Sequence, residues 1–214
     1  MTEQLMVKQE RAARTRETLI RSAAEIFDRD GFSTASLTAI SSRAGVSNGA
    51  LHFHFSTKAV LVDVVEETAL TRLLAVTNGA PPLGTSRVQL LVDVTHALAD
   101  ALHDDVVLRV GFALGGETSR PPRTDLRQRW RCWVEETLRQ AEAEGELRRG
   151  TAVQDAATAV VAATVGFEVL GVRDPTWLAA STVTRFWRLL LPTLVAARLT
   201  MVEAGGTRQP SPAA

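Results

Sequence analysis

The chain has a single cysteine, Cys132, and no tyrosine among its 214 residues. One thiol excludes both a disulfide framework and a cysteine metal cluster. Net charge is absent as well, because 24 Lys and Arg balance 24 Asp and Glu. The protein as a whole is therefore not a basic polyelectrolyte that would bind phosphate indiscriminately. The opening residues, MTEQLMVKQERAARTRE, lack the apolar core of a signal peptide. The longest apolar stretches, 156–165 and 189–197, read as too short or too interrupted to span a bilayer. Those features point to a soluble, cytoplasmic protein. There is no HExxH, no glycine-rich phosphate loop and no Ser-His-Asp spacing. His52 and His54 diverge on a helix, and His96 and His103 stand two turns apart, so neither pair chelates one ion. An enzyme is not expected, and neither a metal nor a cofactor.

The most informative absence is local. Residues 31–62 contain no aspartate or glutamate, although they read as two short helices joined by a tight turn. Carboxylates are the usual means of keeping a helix surface soluble, so their omission marks a surface that meets a polyanion. Nucleic acid is the obvious one, since its phosphates repel carboxylates and supply much of the binding free energy. The charge distribution leans the same way: residues 1–58 carry eight Lys and Arg against six acids, a balance of +2.

Helical spacing recurs along the chain and strand signals are weak. Leu19, Ala23, Ile26 and Phe27 imply a helix that closes at Gly31, and Leu37, Ile40 and Ala44 a second, ending at Gly45. Ser47 can cap a third. A fourth is expected over 58–76, ended by the turn-rich NGAPPLG at 78–84. Further helices are expected at about 86–103, 105–117, 124–144, 152–172 and 176–203, with breaks at Asp104-Asp105, Arg120-Pro121-Pro122, Gly145, Gly150 and Asp174-Pro175. Residues 205–214 have the composition of a disordered tail. The expected fold is all-α with about nine helices.

Thr34–Phe55 fits a helix-turn-helix, in which the second helix enters the major groove with its N-terminal residues at the base edges. That end is Ser47-Asn48-Gly49-Ala50, small residues that admit close backbone approach. Asn48 is placed to reach bases, Ser47 to bond a phosphate, and Thr38, Arg43, His52 and Lys58 to meet the backbone. A surface helical hairpin with no DNA partner fits the bare pattern too.

Residues 14–61 closely resemble the N-terminal domain of the TetR family of bacterial transcriptional regulators. The resemblance is carried by Arg14-Thr15-Arg16, Ala23-Ala24, Ile26-Phe27, Gly31-Phe32, Ile40, Ala44-Gly45-Val46-Ser47, Gly49-Ala50-Leu51, Phe53-His54-Phe55 and Lys58 with Leu61. It implies a homodimer that sets one hairpin per subunit on adjacent major grooves of a pseudo-palindromic operator. It also implies a helical C-terminal domain that holds a small-molecule effector. Arg14 and Arg16, ahead of the first helix, would act as arms or backbone clamps. Where the family usually has Tyr this chain has His52, so DNA affinity is expected to fall from about pH 6 to about pH 8. Asn48 replaces a frequent Lys and shifts base preference toward adenine. The expected division is a DNA-binding domain over 1–58 and a ligand-binding and dimerisation domain over 59–204.

The second part resembles one branch, the γ-butyrolactone autoregulator receptors of streptomycetes and their antibiotic-sensing relatives. The cues are the Phe53-His54-Phe55 ending, the run Asp104-Asp105-Val106-Val107-Leu108-Arg109-Val110-Gly111, the Arg120-Pro121-Pro122 break and Trp130. The low Lys and high Arg content suits a GC-rich actinomycete genome. In that branch the residue matching Trp130 lines the effector pocket, whereas spacing alone favours plain core for Trp130 and Trp133. Trp130, Val134 and Thr137 share one helix face, with Trp133 beside them. The other expected pocket residues come from the same helical layer: Thr95 and Leu98, Val110 and Leu114, Thr164 and Phe167, with Leu70 on the connecting helix. The glycine-heavy run 111–116 suits a segment that shifts with ligand. The wide apolar stripes of 156–170 and 187–194 need a partner, and the resemblance supplies the same helices of a second subunit, making a four-helix bundle. Pro192 should kink the last helix.

The expected function is repression of transcription, relieved by a γ-butyrolactone-type signal, in control of antibiotic production or secondary metabolism. Two alternatives stand beside it: a pseudo-receptor of the same fold that senses an antibiotic or a biosynthetic intermediate, and a helical small-molecule binding protein without specific DNA binding.

Overall fold

A computed structural model gives the fold of residues 2–79, 84–116, 122–196 and 202–207, with side chains described from Met6 onward. These residues form nine α-helices, a 3-10 turn and one isolated β-bridge. They fall into two compact units, neither continuous in sequence: 1–72 with 105–124, and 73–104 with 125–214. The Arg120-Pro121 part of the expected proline break, most of the turn at 78–84 and residues 208–214 lie outside the described residues.

The first unit contains α1 (Thr2–Asp30), α2 (Leu37–Arg43), α3 (Asn48–His54), the start of α4 (Lys58–Thr77) and α6 (Val106–Leu114). Its core is the stripe Leu19, Ala23, Ile26 and Phe27 of α1, closed over by Ile40, Leu51, Phe55, Leu61 and Val65, with Val107, Leu108 and Phe112 of α6. Each short helix is started by a side chain. Ser36 accepts from the Ala39 N–H, Ser47 from Ala50, and Asp105 from Val107 and Leu108. Asp105 also pairs with Arg72, and Asp28 accepts from Nε and Nη2 of Arg109 at 3.2 and 2.9 Å, tying α1 to α6. The turn between α2 and α3 needs glycine for its backbone: Gly45 has φ +66°, while an added Cβ would touch nothing within 4 Å. Arg14 and Arg16 do not precede the first helix as expected. They lie inside α1, which begins more than ten residues earlier because MTEQLMVKQERAAR is composed of good helix formers.

The second unit is built from α5 (Arg87–Asp104), α7 (Leu126–Ala143), α8 (Val153–Gly171), the 3-10 turn Pro175–Leu178 and α9 (Ala180–Leu194), with the end of α4. Leu91, Leu98 and Leu102 of α5 pack with Trp130, Val134 and Leu138 of α7, Val160 and Phe167 of α8, and Val183 and Trp187 of α9. The Glu146 carboxylate accepts the Arg87 and Val88 N–H groups at 2.9 Å each, so an anion from a distant loop caps α5. Gly171 is glycine for space, since a Cβ there would stand 2.7 Å from the Leu178 side chain. Among the described residues α8 is the one helix long and apolar enough, by length and composition, to cross a membrane, a test that the core helix of a soluble protein also passes. Its threonines and glycines are nearly neutral, and its buried side faces α7.

Two expectations for the C-terminal end are corrected. No single helix runs over 176–203: α9 stops at Leu194, where Pro192 has removed a backbone donor in the last turn. Val195 is extended and bridges Leu147, with Arg148 N–H donating to Leu194 and Ala196 N–H to Glu146. Residues 205–207, expected in the disordered tail, are held in place. Thr207 donates through its N–H and hydroxyl to Asp93 at 2.8 and 2.5 Å, His96 Nε2 meets the Ala204 carbonyl at 3.0 Å, and Gln89 accepts from the Glu203 N–H at 2.7 Å. Gln89, Asp93 and His96 stand on one side of α5 and strap residues 203–207 to it.

Candidate functional site

In the first unit the exposed residues of α2 and α3 form a surface without carboxylates. Thr38, Ser47, Asn48, Gly49 and His52 are all exposed. Leu51 is fully buried and anchors α3 from behind. Ser47 uses its oxygen as the cap acceptor for Ala50 at 3.1 Å, which leaves its hydroxyl proton for a phosphate. The Ser41 hydroxyl donates to the Asn48 side-chain carbonyl at 2.5 Å. The same Ser41 hydroxyl lies 3.0 Å from the Thr38 carbonyl, and the Asn48 carbonyl keeps a second lone pair, so the exposed amide retains both a donor and an acceptor for a base edge. Gly49 stands at the second position of α3 with φ in the helical range, and an added Cβ would meet only Ser47 Oγ at an ordinary 3.8 Å. The fold therefore has no need of glycine here. The missing side chain leaves the backbone of α3 open at this exposed position.

The basic residues are held differently from one another. Arg43 donates to Glu25 at 2.7 Å, and Arg21 reaches the same carboxylate at 3.3 Å. Arg43, through its hydrogen bond and charge, holds Glu25 below the usual carboxylate range. Lys58 lies over the Phe32 ring with Nζ 4.4 Å from the centroid and donates to the Ser33 carbonyl, and burial pushes its pKa down. The Arg16 guanidinium sits 5.5 Å from the Phe55 ring centroid, and Arg14 pairs weakly with Glu10 at 4.0 Å. Phe53 was not singled out by sequence reasoning as a contact. It is 82% exposed on α3, and an exposed aromatic on a short amphipathic helix is suited to thymine methyl groups. The two-residue alternation HFHF, with Phe55 as the core member, was the available signal.

Seven of the ten expected effector residues, Thr95, Leu98, Trp130, Trp133, Val134, Thr164 and Phe167, belong to the second unit, and Leu70, Val110 and Leu114 to the first. Trp130 has 0% exposure, stacks on Trp133 with centroids 5.2 Å apart, and donates from Nε1 to Thr164 Oγ1 at 2.7 Å. One turn along the same two helices, Arg127 forks onto Glu168 with both bonds at 3.0 Å. Burial raises the Glu168 pKa, and Arg127 lowers it in partial compensation. The α7–α8 contact is thus apolar with a two-rung polar seam. Thr95 spends its hydroxyl on the Leu91 carbonyl at 2.6 Å. Trp187 was missed as a candidate. Its buried Nε1–H has no partner among the described residues, so the unit holds a ready donor for a carbonyl or hydroxyl. An open cleft of about 730 Å³ elsewhere in the unit is lined by Arg148, Arg149, Thr151, Pro192 and Ala196, and by none of the expected effector residues.

Residues 19–65, the span of the hairpin and its supports, match the family described as bacterial regulatory proteins, tetR family. The A-factor receptor protein of Streptomyces griseus is 28% identical over 88% of this chain and 67% of its own length. A crystal structure of a γ-butyrolactone receptor, described as ArpA-like, superimposes with a TM-score of 0.78 at 28% identity, covering 91% of this chain and 96% of that one. The TetR family protein CprB from Streptomyces coelicolor, in complex with its biological operator sequence, is 30% identical with a TM-score of 0.74, covering 88% of this chain and 92% of that one. With the hairpin matched to the family and the fold shared at that coverage, the chain belongs to the TetR family of bacterial transcriptional regulators and is related to the A-factor and γ-butyrolactone receptors.

Proposed function

We propose that the protein is a cytoplasmic, homodimeric repressor that leaves its operator when a small molecule of the γ-butyrolactone class binds, and that it has no catalytic activity. The observation that carries the DNA half is Gly49 on the exposed, carboxylate-free face of α3, where nothing in the fold asks for glycine. Residues 1–58 read the operator, with Asn48, Gly49 and Phe53 at the bases and Arg14, Arg16, Thr38, Arg43, Ser47, His52 and Lys58 along the phosphates. Arg43 would exchange Glu25 for a phosphate on binding. Residues 59–204 hold the effector and the dimer contact. Val169, Leu170, Val172 and Leu189 are exposed on α8, on the turn after it and on α9, an apolar surface suited to the same helices of a second subunit.

The effector site is read around Trp130, with Thr95, Leu98, Trp133, Val134, Thr164 and Phe167, and with Leu70, Val110 and Leu114 responding to occupancy. Because Trp130 is fully buried and its N–H is bound to Thr164, the effector must part α7 from α8 and take over that hydrogen bond. It then favours a state in which α4 reorients and the two recognition helices no longer match grooves about 34–36 Å apart. Control of antibiotic production is the role this reading implies.

A gel shift against the DNA upstream of its own gene, with and without an acyl-bearing γ-butyrolactone, tests the whole reading. Trp130→Phe, which keeps an aromatic side chain but removes the indole donor, should retain operator binding and need at least tenfold more lactone for release. A variant that releases like the wild type would remove Trp130 from the effector site.

A further inference from the structure

The start of α1 is unpacked from Met6 to Arg11. Every residue from Met6 to Arg11 is exposed, Ala12 and Thr15 are half-buried, and burial begins at Leu19. The six exposed residues of helix, about 9 Å, extend beyond the packed part of the unit. A free helix of that length is marginal in water. Within residues 6–16 four cations, Lys8, Arg11, Arg14 and Arg16, face one acid, Glu10. Glu10 pairs with Arg14, whereas Lys8 and Arg11 have no carboxylate partner among the described residues.

The position of those charges is set by helical geometry. Lys8 and Leu19 are eleven residues apart, close to three full turns, so they lie within ~20° of one line along α1. Ala12 and Ala23 lie near the same line. The side of α1 that is apolar and buried downstream thus turns cationic upstream. Arg16, on the Phe55 ring, marks where α1 passes the C-terminal end of α3. The unpacked turns therefore begin beside the helix that reads the bases.

We propose that residues 2–16 form a helical arm that grips the DNA backbone outside each half-site, with Lys8 and Arg11 as phosphate contacts. This rests on the DNA-binding reading and lengthens the footprint beyond the reach of α3. The arm reads charge and not sequence, so its loss should weaken specific and non-specific duplexes alike.

The test is a fluorescence-anisotropy titration of the full-length dimer against a specific upstream duplex and a scrambled one, across a salt series. Lys8→Ala with Arg11→Ala should flatten the plot of log affinity against log salt by about two units per protomer on both duplexes. The specific-to-scrambled ratio should stay within about threefold. Lys8→Arg with Arg11→Lys should restore the slope. An unchanged slope in the alanine variant overturns the arm. So does a result in which Met6→Ala with Val7→Ala breaks the dimer while the charge variant binds normally, because the arm would then be a protein contact. A wild type with no salt-dependent duplex affinity would instead overturn the DNA-binding reading on which the arm depends.

Discussion

At the scale of single residues, the DNA-facing surface is defined by what its side chains are already doing. Gly49→Ala removes the backbone freedom of an exposed helical glycine and should stabilise the fold by ~0.5–1 kcal/mol. Denaturant melts should show that gain while operator affinity falls at least tenfold. If stability and affinity rise together, no close approach occurs at this position. Lys58→Ala should lower the salt slope of operator binding by about one unit per protomer, and Asn48→Ala should leave the slope alone while relaxing sequence preference. Equal slopes in both variants would place Asn48 on a phosphate. Gly45 and the Ser47 cap were legible in the sequence because their causes are local, a positive φ and an N–H three residues on. The Arg43–Glu25 pair and the Ser41–Asn48 bond were not, since each depends on how two helices meet.

Elements carry the next set of expectations. The α7–α8 seam joins a buried carboxylate to one arginine, and burial raises the Glu168 pKa above the ordinary 4.5. A raised acid favours the fold below its unfolded value, and that contribution is lost as pH climbs through the folded one. Arg127→Met removes the compensating charge and pushes Glu168 further up. The variant should lose ~3 kcal/mol at neutral pH and less at acid pH, as Glu168 takes up its proton. Thermal melts at both pH values check this, and a deficit independent of pH would mean that Glu168 stays neutral throughout. In the C-terminal strap, Asp93→Ala deletes both bonds to Thr207 and should raise hydrogen exchange in 203–207 without altering α7 or α8. Helix positions were legible from apolar spacing to within a few residues for α2 to α8, whereas the start of α1 and the end of α9 were not. The strap was not, because Gln89 and Glu203 are 114 residues apart and the segment has almost no apolar content of its own. Pro192 was expected to kink α9, and instead the helix ends two residues after it; the bridge between Leu147 and Val195 that replaces the helix carries no local signal.

For the whole molecule, membership of the TetR family was legible because the hairpin packs many constrained residues at fixed offsets into about fifty positions. The two compact units were harder to read, since α6 joins the first unit across more than thirty intervening residues. The proposed effector site was least legible: spacing alone favours core for Trp130, and its Nε1 donor is bound to Thr164. The central claim is that operator binding and lactone binding oppose one another. It is tested most directly by titrating a γ-butyrolactone into the protein bound to its upstream duplex, with a scrambled duplex in parallel. The account predicts a specific, salt-sensitive complex that the lactone dissociates in a saturable way. A specific complex that withstands saturating, demonstrably bound lactone would contradict it.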